Sequence, residues 1–128
     1  MDVEAVIQVL DALDEADVRY WVGGGWGVAA LAGRQTRHHR DLDLAVDARD
    51  LARCLESGAR LGYAAETDWL PVRIELSAPG DRWVDVHPVE FDENGASKHV
   101  VPVIIQWQNG APSTVFPESV ATSPVTKP

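Results

Sequence analysis

Asp41 and Asp43 stand two residues apart in a segment, 41–46, where polar and apolar residues alternate strictly. On a β-strand this spacing directs both carboxylates to one face and the intervening leucines to the other. Two ionised carboxylates held so close repel each other, and a divalent cation between them removes that cost. Mg²⁺ prefers oxygen ligands and commonly takes one or two carboxylates together with substrate phosphates. The pattern predicts metal-assisted phosphate chemistry, with a merely solvated strand face as the alternative.

A third carboxylate, Asp85, lies in the segment 83–87, which alternates in the same way and places His87 on the same face. If the two strands pair side by side, Asp41, Asp43 and Asp85 converge. Three carboxylates on adjacent strands can hold two metal ions, one at the attacking oxygen and one at a triphosphate. We therefore predict these three aspartates as metal ligands and catalytic residues. His87 is interpreted as a residue that orients the site or packs.

Three consecutive glycines, 23–25, separate a predicted strand from a predicted helix. Glycines at such a junction let the backbone approach a ligand, and the helix N-terminus supplies free N–H donors. The three-glycine turn is therefore predicted to be a phosphate site. A glycine turn without a ligand is the alternative. No Walker sequence, G-x-x-x-x-G-K-[ST], is present.

The same glycines allow a competing interpretation. Residues 25–30 match G-x-G-x-x-A, and Asp47 ends the next predicted strand, which is close to a dinucleotide-binding fingerprint. A parallel strand in that fold is buried on both faces and almost wholly apolar, whereas 41–46 alternates. A dinucleotide-binding protein is therefore the weaker hypothesis.

A basic cluster precedes the acidic strand in an otherwise acidic chain: Arg34, Arg37 and Arg40. Arginine suits bidentate contact with phosphate, so Arg34 and Arg37 are predicted to bind the nucleotide phosphates. Arg40 is predicted to form a salt bridge with a nearby aspartate. His38 and His39 are interpreted as loop residues.

The elements that must position these residues can be predicted from hydrophobic periodicity and turn residues. They alternate helix and strand and then form a meander, which favours an α+β fold with a mixed β-sheet and helices packed on one face. We expect a single domain over 1–117 and a disordered tail over 118–128. The predicted elements are a helix at 2–16, a strand at 20–22, a helix at 26–33, a loop at 34–40, a strand at 41–46, a helix at 48–61, and strands at 63–66, 72–78, 83–87 and 99–106, with a hairpin turn at 79–81.

Composition narrows the function further. A net charge of −9 over 128 residues makes the surface a poor partner for nucleic acid. No apolar stretch approaches the length of a membrane span, and no signal peptide precedes the first helix. Cys54 is the single cysteine, so an intramolecular disulfide is impossible. These features predict a cytoplasmic protein that acts on a small molecule.

Three motifs follow one another at a specific spacing, namely a Gly-Gly-Trp turn, a Gly-Arg-x-Thr-Arg loop and the acidic pair. In this combination the chain resembles the lincosamide nucleotidyltransferases and aminoglycoside 2''-adenylyltransferases of the DNA polymerase β-like nucleotidyltransferase superfamily. The resemblance lies in residues 21–26, 33–46, 68–73, 84–88 and 91–95.

The resemblance implies transfer of a nucleoside monophosphate from ATP, or another NTP, to a hydroxyl with Mg²⁺. It implies that Asp41, Asp43 and Asp85 bind metal, and that Gly24, Gly25 and Arg37 contact the triphosphate. An aminoglycoside or lincosamide antibiotic is the expected acceptor. This chain has Ala29 where the family usually has an acidic residue. The family's sequences also continue beyond the C-terminus of this chain. A homodimer could complete the acceptor site, and a binding module without transfer is the alternative.

Overall fold

The computed structural model describes residues 1–90, 92–94, 97–98 and 103–126 and divides the chain into two compact units, Met1–Lys98 and His99–Pro128. Parts of three predicted segments lie outside the described residues. They are positions 91 and 95 of the segment 91–95, positions 99–102 of the strand 99–106, and the last two residues of the tail 118–128. The predicted domain over 1–117 and the predicted disorder over 118–128 remain predictions. Among the described helices, none is long and apolar enough to cross a membrane.

The first unit contains three α-helices and a five-stranded sheet within its described residues. In chain order these are α1 (Val3–Glu15), β1 (Tyr20–Val22), α2 (Gly24–Leu31), β2 (Asp41–Asp47), a 3₁₀ turn (Ala48–Asp50), α3 (Leu51–Arg60), β3 (Ala64–Trp69), β4 (Arg73–Ala78) and β5 (Arg82–Val89). The second unit contains an antiparallel hairpin and a short 3₁₀ turn, which are β6 (Ile104–Gln108), β7 (Ala111–Phe116) and Glu118–Val120.

The strands of the first unit lie in the order β1-β2-β5-β4-β3. β2 and β5 are parallel, and the other neighbours are antiparallel, so the mixed sheet predicted from the sequence is confirmed. The antiparallel pairing of β1 with β2 also contradicts the dinucleotide-binding interpretation. In that fold the strand before the glycine turn and the strand after the following helix are parallel.

The core lies against one face of the sheet, where the apolar residues of β2 and β5 are almost completely buried. Hydrophobic side chains of α1 and the buried Cys54 of α3 cover this face, which confirms helices packed on one side. The opposite face of β2 and β5 carries the aspartates, because side chains alternate along a strand. The buried residues of this layer are Leu42, Leu44, Val46, Val84 and Val86 from the sheet, and Val6, Val9 and Leu13 from α1.

Leu44 provides a direct test of this arrangement, because it lies under the acidic face and is 1% exposed. Leu44→Ala should lower the free energy of unfolding by about 2–5 kcal/mol through lost burial and the cavity left behind. Leu31→Ala is the matched control, since Leu31 is 93% exposed, and should change stability by less than about 0.5 kcal/mol. Urea unfolding of both variants measures the difference. Equal stabilities would contradict the core assigned here.

Three elements differ from their sequence predictions. α2 begins at Gly24 rather than Trp26, so two of the glycines belong to the helix. The helix predicted at 48–61 begins as a 3₁₀ turn, and its buried residues are Cys54 and Ser57, whereas Leu51 and Leu55 are only partly buried. β7 was not predicted, because its residues are typical of turns. It forms by pairing with β6.

A buried acidic residue, Asp50, connects the 3₁₀ turn after β2 with Arg19, which lies between α1 and β1, and with Arg53 of α3. It is 2% exposed, accepts hydrogen bonds from the backbone N (3.1 Å) and Nε (2.8 Å) of Arg19, and forms an ion pair with Arg53. The hydrogen bonds from Arg19, and then that from Arg53, hold the pKa of Asp50 far below its ordinary value. The ionised form is therefore the one that stabilises the fold.

The stabilisation by Asp50 should depend on pH in a defined direction. Because its pKa is lowered on folding, its contribution is complete above the unfolded value of about 3.9 and is lost as the pH falls below that value. Asp50→Asn should therefore lower Tm at neutral pH, and the gap to the wild type should close in acid. Thermal unfolding across pH measures this, with the exposed Asp11→Asn as control. A gap that widened in acid would contradict the assignment.

Candidate active site

The register between β2 and β5 places acidic side chains side by side on one sheet face. Asp43 is directly opposite Asp85, and Ala45 is opposite His87. One ligand atom from each of Asp43, Asp85 and His87 lies within 4.8 Å of the others. Asp41 lies on the same face, two residues before Asp43, opposite Trp83 in the register. The strands predicted to carry the three aspartates are thus direct neighbours.

The two carboxylate oxygens of Asp85 have different surroundings. Oδ2 accepts a hydrogen bond from Arg73 Nη1 at 3.0 Å. Oδ1 is buried and has no hydrogen-bond partner among the described residues. Burial raises the pKa of Asp85, and the nearby charge of Arg73 opposes that rise. A buried carboxylate oxygen without a partner is costly, and a cation is one ligand that would satisfy it.

Arg40 organises the other end of this face. Its guanidinium forms ion pairs with Asp41 (3.3 Å) and Glu75 (3.1 Å) and stacks over the Trp83 ring, 4.5 Å from its centroid. The predicted salt bridge of Arg40 with a neighbouring aspartate is confirmed. An arginine held between two carboxylates reduces their mutual repulsion.

Two further residues of this face, Glu75 and Arg73, were not predicted from the sequence, although a signal for Glu75 was present. The hairpin turn at 79–81 joins β4 to β5 with Ala78 opposite Arg82. Counting back along an antiparallel pair places Glu75 opposite Asp85, as the structure does. Glu75 therefore belongs to the same acidic face. Its second oxygen accepts a hydrogen bond from Thr67 Oγ1 at 3.2 Å.

The glycines bring the start of α2 against the acidic face. Gly24 has a φ of +50°, and a Cβ added there would overlap the Asp43 carboxylate. A Cβ on Gly25 would overlap the His39 ring. The backbone N–H of Gly23 donates to the Asp43 carbonyl at 2.8 Å. Both Gly24 and Gly25 are thus required for close packing, and their contact with phosphate remains a prediction.

The predicted phosphate-binding arginines lie in the segment between α2 and β2, as expected for the loop 34–40. Arg34 and Arg37 are both exposed, and Arg34 lines a shallow apolar groove formed by α1 and α2. In the described part of the chain, the arginines paired with the three aspartates are Arg40 and Arg73. The role of Arg34 and Arg37 toward phosphate remains a prediction.

His39 is a loop residue, as predicted, but its side chain is only 3% exposed. The imidazole packs against Trp26 with ring centroids 5.1 Å apart. The backbone carbonyl of His39 accepts a hydrogen bond from the N-terminal amine of Met1 at 2.8 Å. This residue therefore anchors the loop before β2 to both α2 and the chain start. Sequence spacing alone gave no sign of that burial.

Comparison with known proteins gives a consistent result. A family model described as aminoglycoside-2''-adenylyltransferase matches residues 5–123. A lincosamide resistance protein of Staphylococcus haemolyticus is 35% identical over 94 residues, which cover 73% of this chain and 58% of that protein. A 2''-aminoglycoside nucleotidyltransferase of Klebsiella pneumoniae is 48% identical over 42 residues, which cover 33% of this chain and 24% of that protein.

Solved structures agree with these sequence matches. The crystal structure of the lincosamide antibiotic adenylyltransferase LnuA with lincomycin bound has a TM-score of 0.69 and 30% identity, and the match covers 89% of this chain and 68% of that one. The solution structure of ANT(2'')-Ia has a TM-score of 0.67 at 24% identity, covering 84% of this chain and 58% of that one, which supports the fold alone.

The fold is therefore the α+β fold of the antibiotic nucleotidyltransferases LnuA and ANT(2'')-Ia. Because the family model matches most of its residues, the chain belongs to the aminoglycoside-2''-adenylyltransferase family. It spans 58% of the length of the lincosamide resistance protein that it matches.

Proposed function

We propose that this protein is a metal-dependent nucleotidyltransferase that moves a nucleoside monophosphate from an NTP, such as ATP, to a hydroxyl of an antibiotic. The observation that carries the proposal is the placement of Asp43 and Asp85 side by side on the parallel strands β2 and β5, next to the N-terminus of α2. Its membership of the family supports the same conclusion.

The residues present fit a divalent cation. Asp85 has a buried carboxylate oxygen without a partner among the described residues. Asp43 brings a second carboxylate, with one of its oxygens within 4.8 Å of an oxygen of Asp85. In the proposed function Asp41, Asp43 and Asp85 hold Mg²⁺, with two ions expected. When bound, the metal would neutralise the triphosphate and stabilise charge at the attacking and leaving oxygens.

The chain's own groups have distinct parts in this scheme. The first N–H groups of a helix have no acceptor within the helix. Those of Gly24 and Gly25 at the start of α2 are therefore proposed to donate to phosphate oxygens, where the helix dipole favours negative charge. The side chains of Arg34 and Arg37 are proposed to reach the same phosphates. Asp85 is also proposed to help remove the proton from the acceptor hydroxyl, as the resemblance to the family implies.

The proposed acceptor is a small cationic antibiotic. One relative carries the description lincosamide resistance protein, another 2''-aminoglycoside nucleotidyltransferase, and the LnuA structure contains lincomycin. A net charge of −9 favours a cationic acceptor over a polyanion. Both aminoglycosides and lincosamides are basic and carry several hydroxyls, so they form the panel to be tested.

Pyrophosphate release tests this function directly. The protein is incubated with Mg²⁺ and either ATP or GTP, and each aminoglycoside and lincosamide is added in turn. We expect release that requires nucleotide, metal and one class of antibiotic together, with a matching mass increase of the antibiotic. Binding of ATP–Mg²⁺ by calorimetry without release for any acceptor would instead favour a binding module and overturn the proposed transfer.

A further inference from the structure

His87 lies beside Asp43 and Asp85, and a metal site built only from carboxylates gives it no role. It follows Asp85 by two residues on β5, so both side chains leave the same face of the sheet. It lies opposite Ala45 in the register of β2 and β5. Its imidazole offers a ligand nitrogen within 4.8 Å of ligand oxygens of both Asp43 and Asp85.

The unpartnered oxygen of Asp85 is a second observation that points to a ligand for this carboxylate. The Asp85 side chain is 9% exposed, and its Oδ1 has no hydrogen-bond partner among the described residues. Arg73 meanwhile holds Oδ2 at 3.0 Å. An outer partner of this kind fixes the orientation of a ligating carboxylate while leaving the other oxygen free. The carboxylate is thus held ready to bind a cation.

We propose that His87 is a direct metal ligand, so that Asp43, Asp85 and His87 form a mixed carboxylate–imidazole site that selects a divalent transition-metal ion such as Mn²⁺ over Mg²⁺. Mg²⁺ binds oxygen ligands and dehydrates reluctantly, whereas transition-metal ions accept imidazole nitrogen readily. The inference rests on the proposed use of metal at this face and assigns the identity of one metal and one of its ligands.

The same register explains why His87, and not Asp41, completes this set. Asp41 lies opposite Trp83, two residues further along β2 from the Ala45–His87 pair than Asp43 is. Its carboxylate forms an ion pair with Arg40. His87 lies on the other side of the Asp43–Asp85 pair. Asp41 is then left to serve the second cation of the proposed mechanism.

The test is a titration of the full chain with Mn²⁺ alone, without nucleotide, followed by electron paramagnetic resonance at one fixed pH. The wild type should bind Mn²⁺ with the pulsed-resonance signal of a directly bonded nitrogen. His87→Gln should lose that signal and bind Mn²⁺ about tenfold more weakly, or worse, as metal sites do when a supporting group is lost. Competition with Mg²⁺ should show that the Mn²⁺ preference falls in the variant.

Two further variants keep the result interpretable. His87→Glu replaces the nitrogen with a carboxylate oxygen, so it should retain Mn²⁺, lose the nitrogen signal and bind Mg²⁺ more tightly. The same His→Gln change at the exposed His38 should leave every reading at the wild-type value. Thermal unfolding of each variant verifies that it is folded.

A wild type that binds Mn²⁺ without a nitrogen signal, or a His87→Gln variant that keeps the wild-type affinity and signal, would overturn the inference. So would the absence of Mn²⁺ binding by the wild type. Pyrophosphate release with Mg²⁺ is measured in parallel, because it judges the proposed transfer separately. Release that persists while the nitrogen signal is absent overturns the role of His87 and leaves the transfer intact.

Discussion

Asp43→Asn should reduce pyrophosphate release by about a thousandfold while leaving the protein folded. The variant keeps the size of the side chain and removes its negative charge, so a cation between β2 and β5 loses one of its two central carboxylates. Metal stabilisation of the transferring phosphate contributes several kcal/mol, and a thousandfold change in rate corresponds to about 4 kcal/mol. The measurement is the initial rate of pyrophosphate release with saturating NTP and antibiotic.

Asp11→Asn is the matched control for this experiment. Asp11 is exposed on α1, away from the acidic face, and the same substitution there should leave the rate unchanged. Thermal unfolding of both variants should give Tm values close to that of the wild type. If Asp43→Asn released pyrophosphate at the wild-type rate, the proposed transfer at this site would be wrong.

The second large effect is expected from Gly24→Ala. Gly24 combines a φ of +50° with a Cα placed against Asp43, so the added methyl group would overlap the carboxylate. The left-handed backbone costs about 1 kcal/mol for an alanine. Relief of the overlap must displace Asp43 or the start of α2, at a further cost on the order of 1–3 kcal/mol. We expect both stability and activity to fall.

Gly33→Ala separates these two costs. Gly33 has a φ of +66°, but a Cβ there would meet no atom within 4 Å. It should therefore lose about 1 kcal/mol of stability from the backbone alone and keep its activity. Gly24→Ala should lose activity about a hundredfold, because small displacements of catalytic groups cost that much. Equal losses in the two variants would mean that contact with Asp43 is unimportant.

Much of this site could be predicted from alternation alone. The period of two in 41–46 and 83–87 determines which side chains share a face. Burial alternates strictly along β2, whereas on β5 Asp85 is buried as well as its neighbours Val84 and Val86. Their pairing could not be derived from either segment, since it depends on two strands distant in the chain. The structure provides that pairing and sets Asp43 opposite Asp85.

Other features depend on contacts between distant parts of the chain, so they could not be predicted from local sequence patterns. Glycine disfavours helices, so α2 was predicted to start after the glycines, yet Gly24 begins it because only glycine fits against Asp43. Arg37 and Arg73 look equivalent in the sequence, but Arg73 lies on β4 and reaches Asp85. The burial of His39 depends on Trp26 packing over it, which no spacing indicates.

The parallel pairing of β2 with β5 has a consequence for folding. Asp43 and Asp85 are far apart along the chain, so their pairing requires the closure of a long loop, and the entropic cost of that closure slows folding. The unfolded chain does not hold them together, and any cation bound between them adds its binding free energy to the stability of the folded state. Substrate-loaded protein should then unfold at a higher temperature than free protein. Recovery of metal binding during refolding would report when the centre of the sheet has closed.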